Sequence, residues 1–92
     1  MYTEKEFQSQ VVQLAKICGW KVYHTYDSRR SEPGMLDLIL VKNRVLWREL
    51  KTATGKITPA QRDWLAALEA AGQDARVWRP EDFNSIQEEL MR

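Results

Sequence analysis

The chain has 92 residues, 43% of them hydrophobic and 29% charged, and its net charge is +1. A chain of this length buries only about 60–65% of its unfolded surface, so these values predict one small globular domain over residues 1–92. They exclude a disulfide framework and a cysteine-based zinc site, because Cys18 is alone, and a membrane span, because no apolar run approaches about 20 residues.

The spacing of apolar residues, helix caps and turn residues predicts the order α-β-β-β-α-β-α. The predicted elements are a helix over residues 3–18, strands over 20–26, 36–41 and 45–51, a helix over 58–71, a strand over 74–78 and a last helix from Pro80. Thr3 and Glu6 have the spacing of a capping box at the first helix. Thr58 and Pro59 are typical of the start of the second.

The strand-helix-strand unit in the second half of the chain predicts how the sheet is built. Such a unit usually forms a right-handed parallel crossover, whereas the three earlier strands follow one another as an antiparallel meander. The predicted fold class is therefore α/β, with a small mixed sheet of one meander plus one parallel strand. Helices on both faces would explain the near-continuous apolar runs of the strands.

Two carboxylates and an ammonium interrupt the hairpin strands at Asp37, Glu49 and Lys51. A three-residue turn over residues 42–44 would place Asp37 opposite Glu49, with their Cβ atoms within about 5 Å. Such a turn needs one left-handed residue, a conformation that Asn43 tolerates. A two-residue turn would instead pair Asp37 with Leu50 and separate the carboxylates.

Two carboxylates that converge in a partly buried site repel each other, so one is protonated or a cation bridges them. Oxygen ligands of this kind suit a magnesium-like ion that polarises a phosphate oxygen. The Lys51 ammonium would reach the same place and orient water or offset negative charge. The alternative is a salt-bridged patch at a strand end, formed by Asp37, Glu49 and Lys51. The spacing of the three residues favours the metal site.

The positive charge is concentrated in the middle third of the chain, which contains this hairpin. Residues 29–62 carry eight basic and three acidic groups, whereas residues 63–92 carry three basic and seven acidic groups. That sign is expected of a surface that faces phosphates, although a solvated hairpin rim has the same composition. Arg29 and Arg30, in the polar loop before Asp37, are interpreted as a phosphate clamp beside the metal site.

Other polar and aromatic residues have simpler interpretations. Glu4 lies on the apolar stripe of the first helix, where a carboxylate requires a compensating partner. We therefore predict that Glu4 reaches the metal directly or through water, and that Gln8 helps to position it. His24 and Cys18 are interpreted as structural. The tryptophans are interpreted as packing residues, and one of them is a candidate platform for base stacking.

The motifs resemble a known nuclease family. "GMLDLIL" followed by "RELK" resembles the PD-(D/E)XK nuclease signature. The longer stretches "TEKEFQSQVVQLAKICGWKVYHT", "SRRSEPGMLDLILV" and "ELKTATGKITPAQRDWL" resemble the virus-type replication-repair nuclease (VRR-NUC) domain in its short stand-alone form, and the likeness extends through "VWRPEDF". The ordered set, with "TPAQ", is far more specific than Glu-x-Lys alone. The resemblance implies a restriction-endonuclease-like mixed sheet flanked by helices.

The resemblance also implies roles for individual residues. Asp37 and Glu49 would hold Mg²⁺ or Mn²⁺, with the Leu50 backbone carbonyl as a further ligand, and Lys51 would be the catalytic lysine. The remaining carried-over or predicted site residues are Gln61 from "TPAQ" beside the site, Glu4 from the first helix, and Lys56 and Arg62 with Arg29 and Arg30 as DNA contacts. In one departure, Leu36 precedes Asp37 where the family has proline, which stiffens the chain but supplies no ligand.

The resulting prediction is a metal-dependent DNA endonuclease, a hydrolase in which water attacks directly without a covalent intermediate. Family members are linked with branched DNA, and stand-alone forms are similar to homodimeric enzymes that resolve Holliday junctions, so branched DNA and a second copy are the predicted partners. The predicted location is the cytoplasm of a bacterial or phage-infected cell. The alternatives are a non-catalytic nucleic-acid-binding module with the same fold and a structural assembly subunit, which would leave the buried charges unexplained.

Overall fold

A computed structural model describes residues 3–25 and 32–92 of the chain, and the predicted order of elements is confirmed. The elements are α1 (Glu4–Ile17), β1 (Lys21–His24), β2 (Leu38–Val41), β3 (Val45–Leu50), α2 (Pro59–Ala70), β4 (Asp74–Trp78), a short 3-10 turn (Pro80–Asp82) and α3 (Phe83–Leu90). The described residues contain no helix long and apolar enough to cross a membrane.

The sheet has the predicted mixed topology, with strand order β1-β2-β3-β4. β1 pairs with β2 and β2 with β3 in antiparallel fashion, whereas β4 pairs with β3 in parallel. Val41 faces Val45 and Leu38 faces Arg48, so the three-residue turn is confirmed and the register places Asp37 opposite Glu49. The prediction of a left-handed Asn43 is wrong, because no described residue other than glycine has a positive φ. A backbone hydrogen bond of 3.0 Å from Lys42 N–H to Arg44 O closes the turn.

Several elements are shorter than predicted. β2 begins at Leu38 rather than residue 36, because the Leu50 N–H donates to the Asp37 carboxylate and so cannot continue the backbone ladder. Trp20 precedes β1 and is buried, and its indole N–H donates to Leu90 O at 2.8 Å. The strand predicted to reach Tyr26 ends at His24, and Tyr26 lies outside the described residues. The last helix begins at Phe83, after the 3-10 turn.

The apolar core lies on one face of the sheet, where α1 and α3 cover it. Leucines of β2 and β3 pack there against the two helices, and the buried cluster comprises Phe7, Val11, Ala15, Trp20, Leu38, Leu40, Leu46, Leu50, Trp78, Ile86 and Leu90. The second face is only partly covered, because α2 packs near β4 and leaves Tyr23, Val41 and Val45 exposed. Asp37 and Glu49 belong to this second face, since the side chains of a strand alternate.

The basic residues of the middle third do not form one surface. Arg48 is fully buried, its guanidinium bonds to Glu89 and Asp74 at 3.0 Å, and it stacks on Trp78. Arg44 lies over the Trp20 ring and donates to the Glu89 backbone carbonyl. These two arginines therefore hold α3 to the sheet, because a buried charge requires partners. The excess of positive charge in residues 29–62 thus overstates the charge available to phosphates at the surface.

A close contact between the loop before β2 and the start of α2 positions the site. Gly34 has φ +83°, and a Cβ there would overlap the Ala60 carbonyl group. The Trp64 indole N–H also donates to Pro33 O at 3.2 Å. Because only glycine fits this approach without displacing backbone, Gly34 lets the chain leading to Asp37 lie directly against the first turn of α2.

Candidate metal centre and active site

Three carboxylates converge at one end of the sheet. Glu4 comes from the first turn of α1, Asp37 from the residue before β2 and Glu49 from β3, and one oxygen of each lies within 4.8 Å of the others. We call these three residues the carboxylate cluster. Glu4 is exposed rather than core-facing, and its position in the first turn of α1 brings its carboxylate to the other two. Within the described part of the chain, this cluster has the ligands and spacing for a metal ion.

The Asp37 carboxylate is oriented by the backbone of the neighbouring strand. Its Oδ2 accepts a hydrogen bond of 2.9 Å from the Leu50 N–H. Its own backbone carbonyl accepts from the Thr25 N–H at 3.1 Å. These two bonds join the start of β2 to β3 and to the end of β1, so the position of Asp37 is fixed by the sheet.

Glu49 is the most strongly perturbed member of the cluster. It is 1% exposed, and burial together with the nearby Asp37 charge raises the pKa of its carboxyl group from 4.5 to about 8, although the Lys51 ammonium opposes the shift. Its Oε2 accepts a hydrogen bond of 2.9 Å from Gln61 Nε2. Its Oε1 is buried and has no hydrogen-bond partner among the described residues. A buried acceptor without a partner destabilises the fold, unless a proton or a cation satisfies it.

Gln61 contacts the carboxylate cluster and also caps the start of α2. Its Oε1 accepts from the Thr58 N–H at 3.0 Å, and its own N–H donates to Thr58 Oγ1 at 3.1 Å, which completes a capping box at the start of α2. Because the cap occupies the amide oxygen, the amide nitrogen is directed to Glu49. Gln61 therefore positions a carboxylate of the cluster.

The Lys51 ammonium lies beside the same carboxylate. Its Nζ is 3.6 Å from Glu49 Oε2, and its side chain is 13% exposed. At this distance the ammonium lies against the Glu49 carboxyl group, and it is partly open to solvent. Lys51 is therefore available to a substrate at the cluster.

The donor set fits a magnesium-like ion. All three side chains offer hard oxygen ligands, and at the buried Glu49 Oε1 a cation would take the place of the proton that the raised pKa favours. Glu4, Asp37 and Glu49 would hold the ion. The contribution of the Leu50 carbonyl remains a prediction, because its described contact to the cluster is through the N–H.

Among the described residues, no contact links the residues predicted to bind DNA to the carboxylate cluster. Arg29 and Arg30 lie outside the described residues. Lys56 and Arg62 are exposed, one in the loop between β3 and α2 and the other next to Gln61. Their roles remain predictions.

Arg79 is a residue near the site that the sequence analysis missed. Its Nη1 donates to Thr52 O at 2.7 Å and to Gly55 O at 2.8 Å, so it holds the loop that follows Lys51. The parallel register pairs Leu50 with Trp78, which places the residue after β4 beside the residue after β3. A prediction of this register from the sequence would have placed Arg79 next to Lys51.

A solved structure described as "VRR_NUC domain protein" is similar to this chain. The TM-score is 0.79 and the identity 23%, and the match covers 99% of this chain and 89% of that one. The chain has the VRR_NUC fold. No protein-family model matches the sequence, and no curated protein matches it. This likeness shows the fold, and three residues from the motifs that resemble the VRR-NUC domain, Glu4, Asp37 and Glu49, form the carboxylate cluster.

Proposed function

We propose that residues 1–92 form a metal-dependent endodeoxyribonuclease domain. The observation that carries the proposal is the carboxylate cluster, whose oxygens lie within 4.8 Å of one another on a VRR_NUC fold. Lys51 beside Glu49 supplies the cation expected near a reacting phosphate. The reaction is hydrolysis, in which water attacks phosphorus, a P–O bond breaks, and a phosphate monoester end and a hydroxyl end result.

The chain's own residues have separate tasks in this proposal. Asp37, Glu49 and Glu4 hold the ion, and Gln61 keeps Glu49 in place through its amide nitrogen. When bound, Mg²⁺ or Mn²⁺ supplies Lewis-acid stabilisation of the phosphate oxygens. Lys51 orients the attacking water or stabilises the negative charge that develops on the phosphate.

The proposed substrate is branched DNA such as a Holliday junction, and the proposed assembly is a homodimer. The described residues 3–25 and 32–92 present one carboxylate cluster on a small surface. Two chains related by a two-fold axis would direct one site to each of two arms, so paired nicks follow from the symmetry. Arg29, Arg30, Lys56 and Arg62 would contact the DNA backbone.

Cleavage of a labelled four-way junction and of a linear duplex of the same sequence tests this proposal, with Mg²⁺ and with a chelator. We expect faster cleavage of the junction, dependence on Mg²⁺ or Mn²⁺, and a dimer in light scattering. Asp37→Asn serves as the site variant because it removes one ligand charge.

Two outcomes would contradict different parts of the proposal. A protein that binds DNA but cleaves none of these substrates with either ion would favour the non-catalytic nucleic-acid-binding module. A strictly monomeric enzyme with equal rates on both substrates would remove the junction and the dimer, whereas the nuclease activity would stand.

A further inference from the structure

A groove runs from the carboxylate cluster along the wall formed by α1 and the end of β1. It is a cavity of about 590 Å³ lined by Glu4, Lys5, Gln8, His24 and Thr25. Glu4 belongs both to this cavity and to the cluster, so the groove borders the proposed reaction site at this residue. A second cavity of about 240 Å³ shares Lys5, Gln8 and His24 and continues the groove along α1.

The groove wall is held together by polar contacts. Gln8 Nε2 lies 3.4 Å from His24 Nδ1, which joins α1 to β1. The Thr25 hydroxyl donates to Leu36 O at 3.4 Å, and the Thr25 N–H donates to Asp37 O at 3.1 Å. Thr25 therefore ties the groove to the backbone segment that positions Asp37. A group bound in the groove would lie at a constant distance from the carboxylate cluster.

The chemistry of the lining suits a phosphate. Glu4 is the single acid among the five lining residues of the larger cavity, and a cation in the cluster would offset its charge. Lys5 is an exposed ammonium, and Gln8 is a half-buried amide. Ammonium and amide groups are the usual donors to phosphate oxygens on a DNA backbone.

We propose that Lys5 and Gln8 bind a backbone phosphate of the substrate DNA strand, one or two nucleotides from the phosphate that is cleaved. This inference rests on the proposed nuclease function, because the second phosphate is defined relative to the reaction site. From Glu4 to Gln8 the helix rises about 6 Å, at 1.5 Å per residue. Successive nucleotides of one strand are about 3.4 Å apart along the duplex axis, so an offset of about 6 Å corresponds to roughly two nucleotides.

The test compares Lys5→Ala with Lys16→Ala, a matched loss of one exposed ammonium at the far end of the same helix. Binding of a labelled junction is measured by anisotropy across a salt series, in calcium buffer and without cleavage. We expect Lys5→Ala to weaken binding and to reduce the log-log salt slope by about one unit, and Lys16→Ala to leave the slope unchanged. Gln8→Ala is expected to weaken binding with an unchanged slope, because it removes a neutral group.

Uncharged methylphosphonate linkages, introduced one at a time around the cleaved bond, locate the contact. The wild type is expected to lose affinity at one linkage within two nucleotides of that bond, and Lys5→Ala is expected to lose clearly less affinity there, because only the Gln8 contact remains. Three results would overturn the inference. The first is an equal salt slope for Lys5→Ala and Lys16→Ala, and the second is an equal loss of affinity at the methylphosphonate linkage in wild type and Lys5→Ala. The third is the absence of DNA binding by the wild type.

The two proposals fail separately. A wild type that cleaves DNA while Lys5→Ala behaves like Lys16→Ala would overturn the groove alone. A wild type that shows the Lys5-dependent contact without cleaving any substrate would support the groove as a phosphate site and overturn the nuclease.

Discussion

Replacing Lys51 with alanine is expected to reduce Mg²⁺-dependent DNA cleavage by at least about 100-fold, while DNA affinity stays within a few fold of the wild type. The physical reason is the position of the Lys51 ammonium beside the carboxylate cluster. The Lys51 ammonium lies 3.6 Å from Glu49 Oε2 and is partly open to solvent, so a substrate bound at the cluster would be within its reach. As one ammonium among many basic groups, it contributes little to the overall attraction for phosphates.

Single-turnover cleavage at saturating metal, together with DNA binding, measures this effect. Saturating metal matters because Lys51 lies beside a carboxylate of the cluster, so its loss would also change the affinity for a cation. Lys16→Ala is the control, since it removes the same charge from an exposed position at the end of α1. Cleavage by Lys51→Ala at a rate within a few fold of the control would remove Lys51 from the mechanism.

Glu49→Gln is expected to stabilise the protein in metal-free buffer, by an amount that grows with pH between 4.5 and 8. In the folded wild type, burial and the Asp37 charge raise the pKa of Glu49 from 4.5 to about 8. Between these values the folded state holds a proton that the unfolded state has released. The free energy of unfolding of the wild type therefore falls as pH rises, by up to about 1.4 kcal/mol per pH unit.

Glutamine has no charge to lose, so this fall disappears in the variant. Thermal unfolding in a chelator at several pH values measures the difference, with Glu69→Gln on the exposed side of α2 as the control. Asp37→Asn is expected to act in the same direction, because it removes one of two crowded charges and its side-chain carbonyl can still accept from the Leu50 N–H. If Glu49→Gln were clearly less stable than wild type at pH 8, Glu49 would be a salt-bridge partner of Lys51 instead.

The sequence predicted those parts of the site that depend on local rules. The three-residue turn at residues 42–44 sets the hairpin register, and the register alone brings Asp37 opposite Glu49. The capping pattern at Thr58 likewise placed Gln61 in the first turn of α2. Both follow from spacing within one element or one turn.

The sequence could not predict features that depend on how distant elements pack. Arg48 looks like one more surface charge until α3 brings Glu89 to 3.0 Å from its guanidinium. The contact of Gly34 with Ala60 requires the approach of α2 to the loop before β2. The reach of Glu4 to the cluster depends on the angle of α1 to the sheet, and periodicity had placed this exposed residue on the core side.

The most direct test of the account is a calorimetric titration of Mn²⁺ and Mg²⁺ into the metal-free protein and its Asp37→Asn and Glu69→Gln variants. The carboxylate cluster predicts saturable binding by the wild type and by Glu69→Gln, and binding at least about tenfold weaker by Asp37→Asn. Absence of saturable binding by the wild type, or equal affinity in the wild type and Asp37→Asn, would contradict a metal centre at Glu4, Asp37 and Glu49.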